Sequence, residues 1–203
     1  MVKDISTEQK IKEAAKSVFI KKGFGMTRTR DIAKEANINL ALLNYYYRSK
    51  ENLFEIVMKE CIQEMFSYID NIINNNDTNL SEKIDAAVCK YIEGLSKNPE
   101  LPIFLFSELQ VNPQFLYDKI KIPTGFIKGS YMFEQINEQI AKEKLNFTAL
   151  HFFMNLISLS IFPIIGRPSL KYFNKMDEKK YEHFIEERKI LVPIWLKSML
   201  KLE

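Results

Sequence analysis

The chain has 203 residues, 46% of them hydrophobic and 27% charged, enough apolar material to bury a core and too much for a disordered chain. Six glycines and seven prolines leave little turn material, against an all-β fold, and two cysteines exclude a disulfide framework or a four-cysteine zinc site. The net charge is only +3 but uneven: residues 1–60 carry 12 Lys or Arg against 8 Asp or Glu, and the remainder 17 against 18, so an anionic partner is expected at the front.

The N-terminal MVKDISTEQK has no apolar leader, which places the protein in the cytoplasm. Ser6 followed by Gln9 is a capping box, and Ile11, Ala14, Ala15, Val18 and Phe19 recur at helical spacing until Gly23 stops a first helix. A second, short helix starts at Thr27 or Thr29, turns Ile32 and Ala33 inward and ends near Ala36. Asn37 follows, a residue able to take the left-handed conformation of a tight turn. Asn39 caps a third helix from Leu40 to about Tyr47. Ser49 caps a fourth, whose apolar spacing continues to Ile73 and predicts a length of about 35–40 Å at 1.5 Å per residue.

The next helices are read at Ser81 to Lys97, Leu101 to Val111, Phe126 to Lys144, and Asp177 to Leu202, with Pro193 kinking or splitting the last. The KIKI alternation at 119–122 is too brief for a strand. Residues 146–166 carry no formal charge over a length that matches a bilayer span, but Asn146, Thr148, His151, Asn155, Ser158 and Ser160 suit lipid poorly. A helix apolar on most sides instead packs inside its subunit on one face and against a partner on the other. With 177–202 it would build a homodimer interface, where Asp at Leu156 or Leu159 would bury an unpaired charge.

The sharpest signal lies at 27–53, TRTRDIAKEANINLALLNYYYRSKENL. Two short helices joined by a brief turn, with Ile32, Ala33, Ile38 and Leu43 inward and polar and aromatic groups outward on the second, make a helix-turn-helix. One of the three consecutive tyrosines, Tyr47, faces in, so Tyr45 and Tyr46 cannot both share its face. Lys50, beside free N–H groups at the start of the fourth helix, suits a phosphate. An enzyme is the main rival, yet His151 and His183 are far apart, no nucleotide-loop or nucleophile motif occurs, and Cys61 and Cys89 read as structural thiols. A membrane-associated helical protein is the third reading.

This segment resembles the TetR family of transcriptional regulators. The F-x-x-x-G ending of the family's first helix is Phe19 to Gly23, its D-I-A-x-x-A run is Asp31 to Ala36, and its exit motif is Tyr46-Tyr47-Arg48-Ser49-Lys50-Glu51-Asn52-Leu53. The usual turn glycine is Asn37 here, and the tyrosine after Leu43 is Asn44. The resemblance implies an all-α chain with a helix-turn-helix head at 1–48 and a helical regulatory and dimerisation domain at 49–203. It further implies a homodimeric repressor on a palindromic site in double-stranded DNA, contacted by Thr29, Arg30, Asn39, Leu40, Ala41, Leu42, Asn44, Tyr45, Tyr46 and Lys50. A small-molecule effector is implied too, without a metal, cofactor or membrane. The surplus of large aromatics suggests its pocket at Phe104, Tyr131, Phe133 and Phe152, with His151 and Asn155, one helical turn apart, as polar contacts.

Overall fold

The computed structural model describes residues 6–111, 113–115 and 125–202, and these form helices and turns without a strand, so the chain is all-α. The KIKI run lies outside the described residues. The described residues fall into two compact units, one drawn from Met1–Glu64 and Ile103–Ile122, the other from Met65–Pro102 and Pro123–Glu203. The unit that carries the helix-turn-helix thus runs well past residue 48 and takes in a later stretch of chain.

In the first unit, α1 (Thr7–Met26) begins on Ser6, whose hydroxyl accepts the Gln9 N–H at 3.2 Å. Gly23 has φ +70°, interrupting the helix at the residue expected to stop it, and one more turn follows. The second helix, α2 (Thr29–Glu35), is capped by neither threonine. The Arg28 N–H donates to the Asp31 carboxylate at 3.1 Å, whereas buried Thr27 turns its hydroxyl back to the Gly23 carbonyl at 2.7 Å. Asp31 also meets Lys22 at 3.1 Å. The Arg28 hydrogen bond first, and Lys22 second, hold the Asp31 carboxyl below its ordinary value of 3.8. This support for α2 is therefore complete above that pH and lost as acid protonates the folded carboxylate. Ile11, Ala15, Phe19, Ile32 and Leu43 are fully buried together with residues of α4 (Lys50–Ser67). There Phe54 meets the rings of Phe19 and Phe24 at 5.0 and 4.6 Å.

Two backbone positions shape the head. The Ile38 N–H donates to the Ala33 carbonyl at 3.0 Å and the Asn37 N–H to Lys34 at 3.1 Å, a Schellman ending with Asn37 at φ +54°. The second position, Arg48, joins α3 (Leu40–Tyr47) to α4 with φ +60° and ψ −45°, while the Ser49 N–H reaches the Tyr47 carbonyl at 2.6 Å. This is the γ-turn form with positive φ, strained for any residue with a Cβ. Relief of that strain, on the order of 1–3 kcal/mol, outweighs the entropy of a free glycine, roughly 0.5–1 kcal/mol. Arg48→Gly is expected to raise the denaturant midpoint at unchanged slope, and a lowered midpoint would refute the strain.

In the second unit α6 (Leu80–Lys97) starts on Asn79, whose amide oxygen accepts from Glu82 N–H at 2.9 Å while the Glu82 carboxylate accepts from Asn79 N–H at 2.9 Å. The fourth helix does not run on to Ile73. It stops at Ser67, and a separate turn, α5 (Asp70–Ile73), redirects the chain. No glycine or proline marks this break. The bend puts Ile69 and Ile73 into the core and brings the Tyr68 ring over Gly94, where an added Cβ would lie 2.5 Å from the ring. The two helices of the next stretch are α7 (Glu100–Val111) and the brief α8 (Pro113–Phe115). Then α9 (Tyr131–Glu143) begins later than the apolar spacing from Phe126 suggests, because the Ser130 hydroxyl caps it by accepting from Phe133 N–H at 3.3 Å.

The uncharged stretch forms α10 (Ala149–Ile165), followed by a helix that the sequence pattern did not show, α11 (Arg167–Phe173). Arg167 and Lys171 of α11 both meet the carboxylate of Glu178, the first residue of α12 (Glu178–Met199). Pro193 does not split α12. Its ring is buried along with Val192 and Leu196, and this packing offsets the missing N–H. Among the described residues no single helix is long and apolar enough to cross a membrane; α10 and α11 together reach the length but bend by 67°.

Candidate nucleic-acid interface

Asn39 initiates α3 by accepting the Leu42 N–H at 2.8 Å, which commits its amide oxygen and leaves its NH2 outward. Leu43 and Tyr47 are then the buried face. The Tyr47 hydroxyl donates to the Glu8 carbonyl at 3.1 Å, and burial above all pushes its pKa up to about 12. With those two inward, Leu40, Ala41, Asn44, Tyr45 and Tyr46 are exposed, Tyr45 at 80%, while Leu42 is half-buried. The Tyr45 and Tyr46 rings meet edge to face at 5.5 Å. On α2, Arg30 is exposed and Thr29 half-buried. One short helix thus presents an amide, two phenols and small apolar groups, the chemistry that reads base edges in a major groove. Arg30, Lys34 and Arg48 are exposed, and their side chains have no hydrogen bond or ion pair among the described residues, leaving them free for phosphates. Lys34 and Arg48 escaped the sequence reading because they occupy unspecified positions of the motifs.

Lys50 is placed differently from a solvent-facing clamp. Its ammonium donates to the carbonyls of Phe24 and Thr27, both at 3.0 Å, and lies 4.0 Å from the Phe24 ring centre. It closes the α1 exit, and one N–H of its three remains for an anion. The N–H of the same Phe24 donates to Glu108 of α7 at 2.9 Å. The loop that leads into α2 is therefore tied down on both sides of one residue. Glu108 lies 84 positions from Phe24, and no sequence pattern links them.

The six residues expected around an effector are divided between the two units. Phe104 is buried in the first unit, 6.2 Å from the Phe54 ring, and the other five belong to the second. Phe152 is completely buried and packs edge to face on Phe153, whose ring stacks on Phe133 at 5.8 Å, so these rings fill core. Tyr131 covers the buried ammonium of Lys83 at 4.9 Å. His151 and Asn155 are exposed, in an open groove with Leu145, Phe147 and Met199. Cys61 is buried, which pushes its thiol up to about 11, away from reactive thiolate chemistry. No group of three His, Cys, Asp or Glu among the described residues could hold a metal.

Residues 11–57, which contain this interface, match the family described as bacterial regulatory proteins of the tetR family. The chain is similar to the probable HTH-type transcriptional regulator YttP of Bacillus subtilis, 26% identical, with 97% of this chain and 95% of that protein covered. It is likewise similar to IcaR of Staphylococcus aureus, a negative transcriptional regulator of the biofilm operon icaADBC, 29% identical over 94% of this chain and all of that one. Among solved structures, FadR of Bacillus subtilis in complex with stearoyl-CoA shares the fold with a TM-score of 0.60 at 17% identity, covering 90% of this chain and 96% of that one. The head at residues 11–57 is thus that of the tetR family of bacterial regulatory proteins, and along its length the chain is similar to HTH-type transcriptional regulators.

Proposed function

We propose that the chain is a cytoplasmic repressor that binds a palindromic DNA site as a homodimer and releases it when a small molecule binds. The observation that carries the reading is the outward face of α3, Asn44 and Tyr45 above all, flanked along the chain by the unpaired cations Arg30, Lys34 and Arg48. The DNA contacts come from Thr29 and Arg30, from Asn39 to Leu42, from Asn44 to Tyr46 and from Lys50, with Arg48 added; the first unit does the reading and the second the pairing.

Pairing is supported by apolar side chains that one subunit leaves in water: Leu150, Met154 and Phe162 on α10, and Ile190, Ile194 and Trp195 on α12. Two copies of these helices bury such a surface as a four-helix bundle about a two-fold axis. The stripe is not where Leu156 sits, since Leu156 is 1% exposed and belongs to the core. Repression is supported by the likeness to IcaR, and effector response by the fold shared with FadR, whose solved structure holds stearoyl-CoA.

The test is selection of genomic DNA fragments on the purified chain, which should enrich one sequence with dyad symmetry; no enrichment at low salt overturns the reading. On that site Asn44→Ala and Tyr45→Ala should each change which bases are preferred, by about 1–3 kcal/mol between best and altered sites. Equal losses on all sequences would demote both to phosphate contacts.

A further inference from the structure

Tyr172 and Phe173 end α11 with 80% and 78% of their surface in water. Their rings meet edge to face at 5.4 Å, and neither makes a hydrogen bond or another ring contact through its side chain among the described residues. The helix that carries them is braced. Arg167 and Lys171 both meet the Glu178 carboxylate, and the Arg167 guanidinium lies 5.0 Å from the centre of the Tyr181 ring. An aromatic side chain that packs buries about 150–250 Å², so a fixed pair left in water marks a contact made outside the subunit.

The same unit carries a hollow of the complementary kind. A groove of about 680 Å³ opens at the start of α10, walled by Leu145, Phe147 and Met199 and edged by His151 and Asn155. Asn155 donates its amide N–H to the Met199 sulfur at 3.6 Å, which leaves its amide oxygen as an acceptor, and the His151 side chain has no hydrogen bond among the described residues. Apolar walls with polar groups at the edge suit a phenol beside a plain ring. The subunit's own α11 cannot fill the groove, because the 17 residues of α10 stand between them, about 25 Å at 1.5 Å per residue.

We propose that the Tyr172 and Phe173 rings of each subunit dock into this groove of the other, an exchange that rests on the pairing through α10 and α12. The exposed apolar stripe on α10 runs from Leu150 to Phe162 and is centred near residue 156. Leu145 and Arg167 each lie 11 residues from that centre. A second copy turned end for end about it therefore brings its α11 beside residues 145–151, and the two-fold axis repeats the contact, so both ring pairs and both grooves are used. Pairing with the two α10 helices parallel would set α11 against α11 instead. Residues 167–180 carry five Lys or Arg against two Asp or Glu, so that end would repel its copy, whereas 138–151 carry two of each sign. Opposed helix dipoles favour the same antiparallel arrangement.

The test is thiol cross-linking of the full chain with a bis-maleimide, with Cys89→Ser removing the half-buried native thiol from every variant. Tyr172→Cys combined with His151→Cys should give a covalent dimer on a denaturing gel. Neither substitution alone should do so, because each new thiol then faces a partner without one. A covalent dimer from Tyr172→Cys alone would place α11 against α11 and refute the exchange. Sedimentation supplies the second measurement: Tyr172→Ala together with Phe173→Ala should raise the dimer dissociation constant at least about a hundredfold, since the two-fold axis removes both docked pairs, with circular dichroism unchanged because the rings are exposed. An unaltered chain that sediments as a monomer overturns the exchange along with the pairing it rests on. An unaltered dimer whose alanine variant pairs as tightly, or whose cysteine pair does not cross-link, overturns the exchange alone and leaves the four-helix bundle standing.

Discussion

Ile194→Asp should abolish the proposed pairing of subunits, giving a folded monomer at micromolar concentration. Ile194 is 50% exposed in the single chain, so the substitution costs the isolated subunit little. In the paired state the two-fold axis doubles the effect: each copy would bury an unpaired carboxylate, at about 2–3 kcal/mol apiece when partial hydration is retained. Together that is a weakening of pairing by about three to four orders of magnitude. Sedimentation velocity reads the mass, and affinity for a two-half-site DNA should fall with it while helicity is kept. Leu156→Asp supplies the contrast, because at 1% exposure it lies in the core and its charge should unfold the subunit instead. An unaltered chain that sediments as a monomer, or an Ile194→Asp chain that stays dimeric, would remove α10 and α12 from the interface.

Lys50→Ala should damage stability and DNA binding together. The ammonium satisfies two carbonyls, those of Phe24 and Thr27, and lies over the Phe24 ring. Hydrogen bonds from a charged donor contribute about 1.5–3 kcal/mol each, and partial solvation of the loop returns some of that loss, so about 2 kcal/mol of destabilisation is expected in chemical unfolding. Binding should weaken on every sequence alike, and the dependence of log affinity on log salt should flatten by about 1 if the third N–H meets a phosphate. Lys50→Arg separates the roles. It keeps the charge but not the compact ammonium, so a restored salt slope with stability still reduced would assign the phosphate contact to the charge and the loop closure to the shape. A Lys50→Ala chain as stable as the parent would show that the α1 exit does not depend on this side chain.

The head was legible in the sequence because its signals are local. Ser6, Asn39 and Ser49 each cap a backbone N–H three residues on, at 2.8 to 3.2 Å, and Asn37 takes its positive φ where a turn demanded one. The alternation of Leu43 and Tyr47 with Asn44 and Tyr45 sets which side of α3 is outward by helical periodicity alone. Elsewhere the local signal was silent or misleading. Nothing near Ser67 says that the fourth helix ends there; it ends because Ile69 and Ile73 reach the core only if the chain bends and Gly94 admits the Tyr68 ring. Helical spacing marks Leu156 and Met154 alike as apolar, and only packing in the second unit makes one core and the other an open face. Phe104 and Phe152, two of the aromatic residues expected around an effector, became core in the same way, since composition counts rings without saying which of them meet. Lys50 and Glu108, far apart along the chain, converge on Phe24. Sequence determined the elements whose hydrogen bonds close within a few residues; tertiary structure decided every pairing whose partners lie tens of residues apart, because burial depends on what the rest of the chain brings to the site.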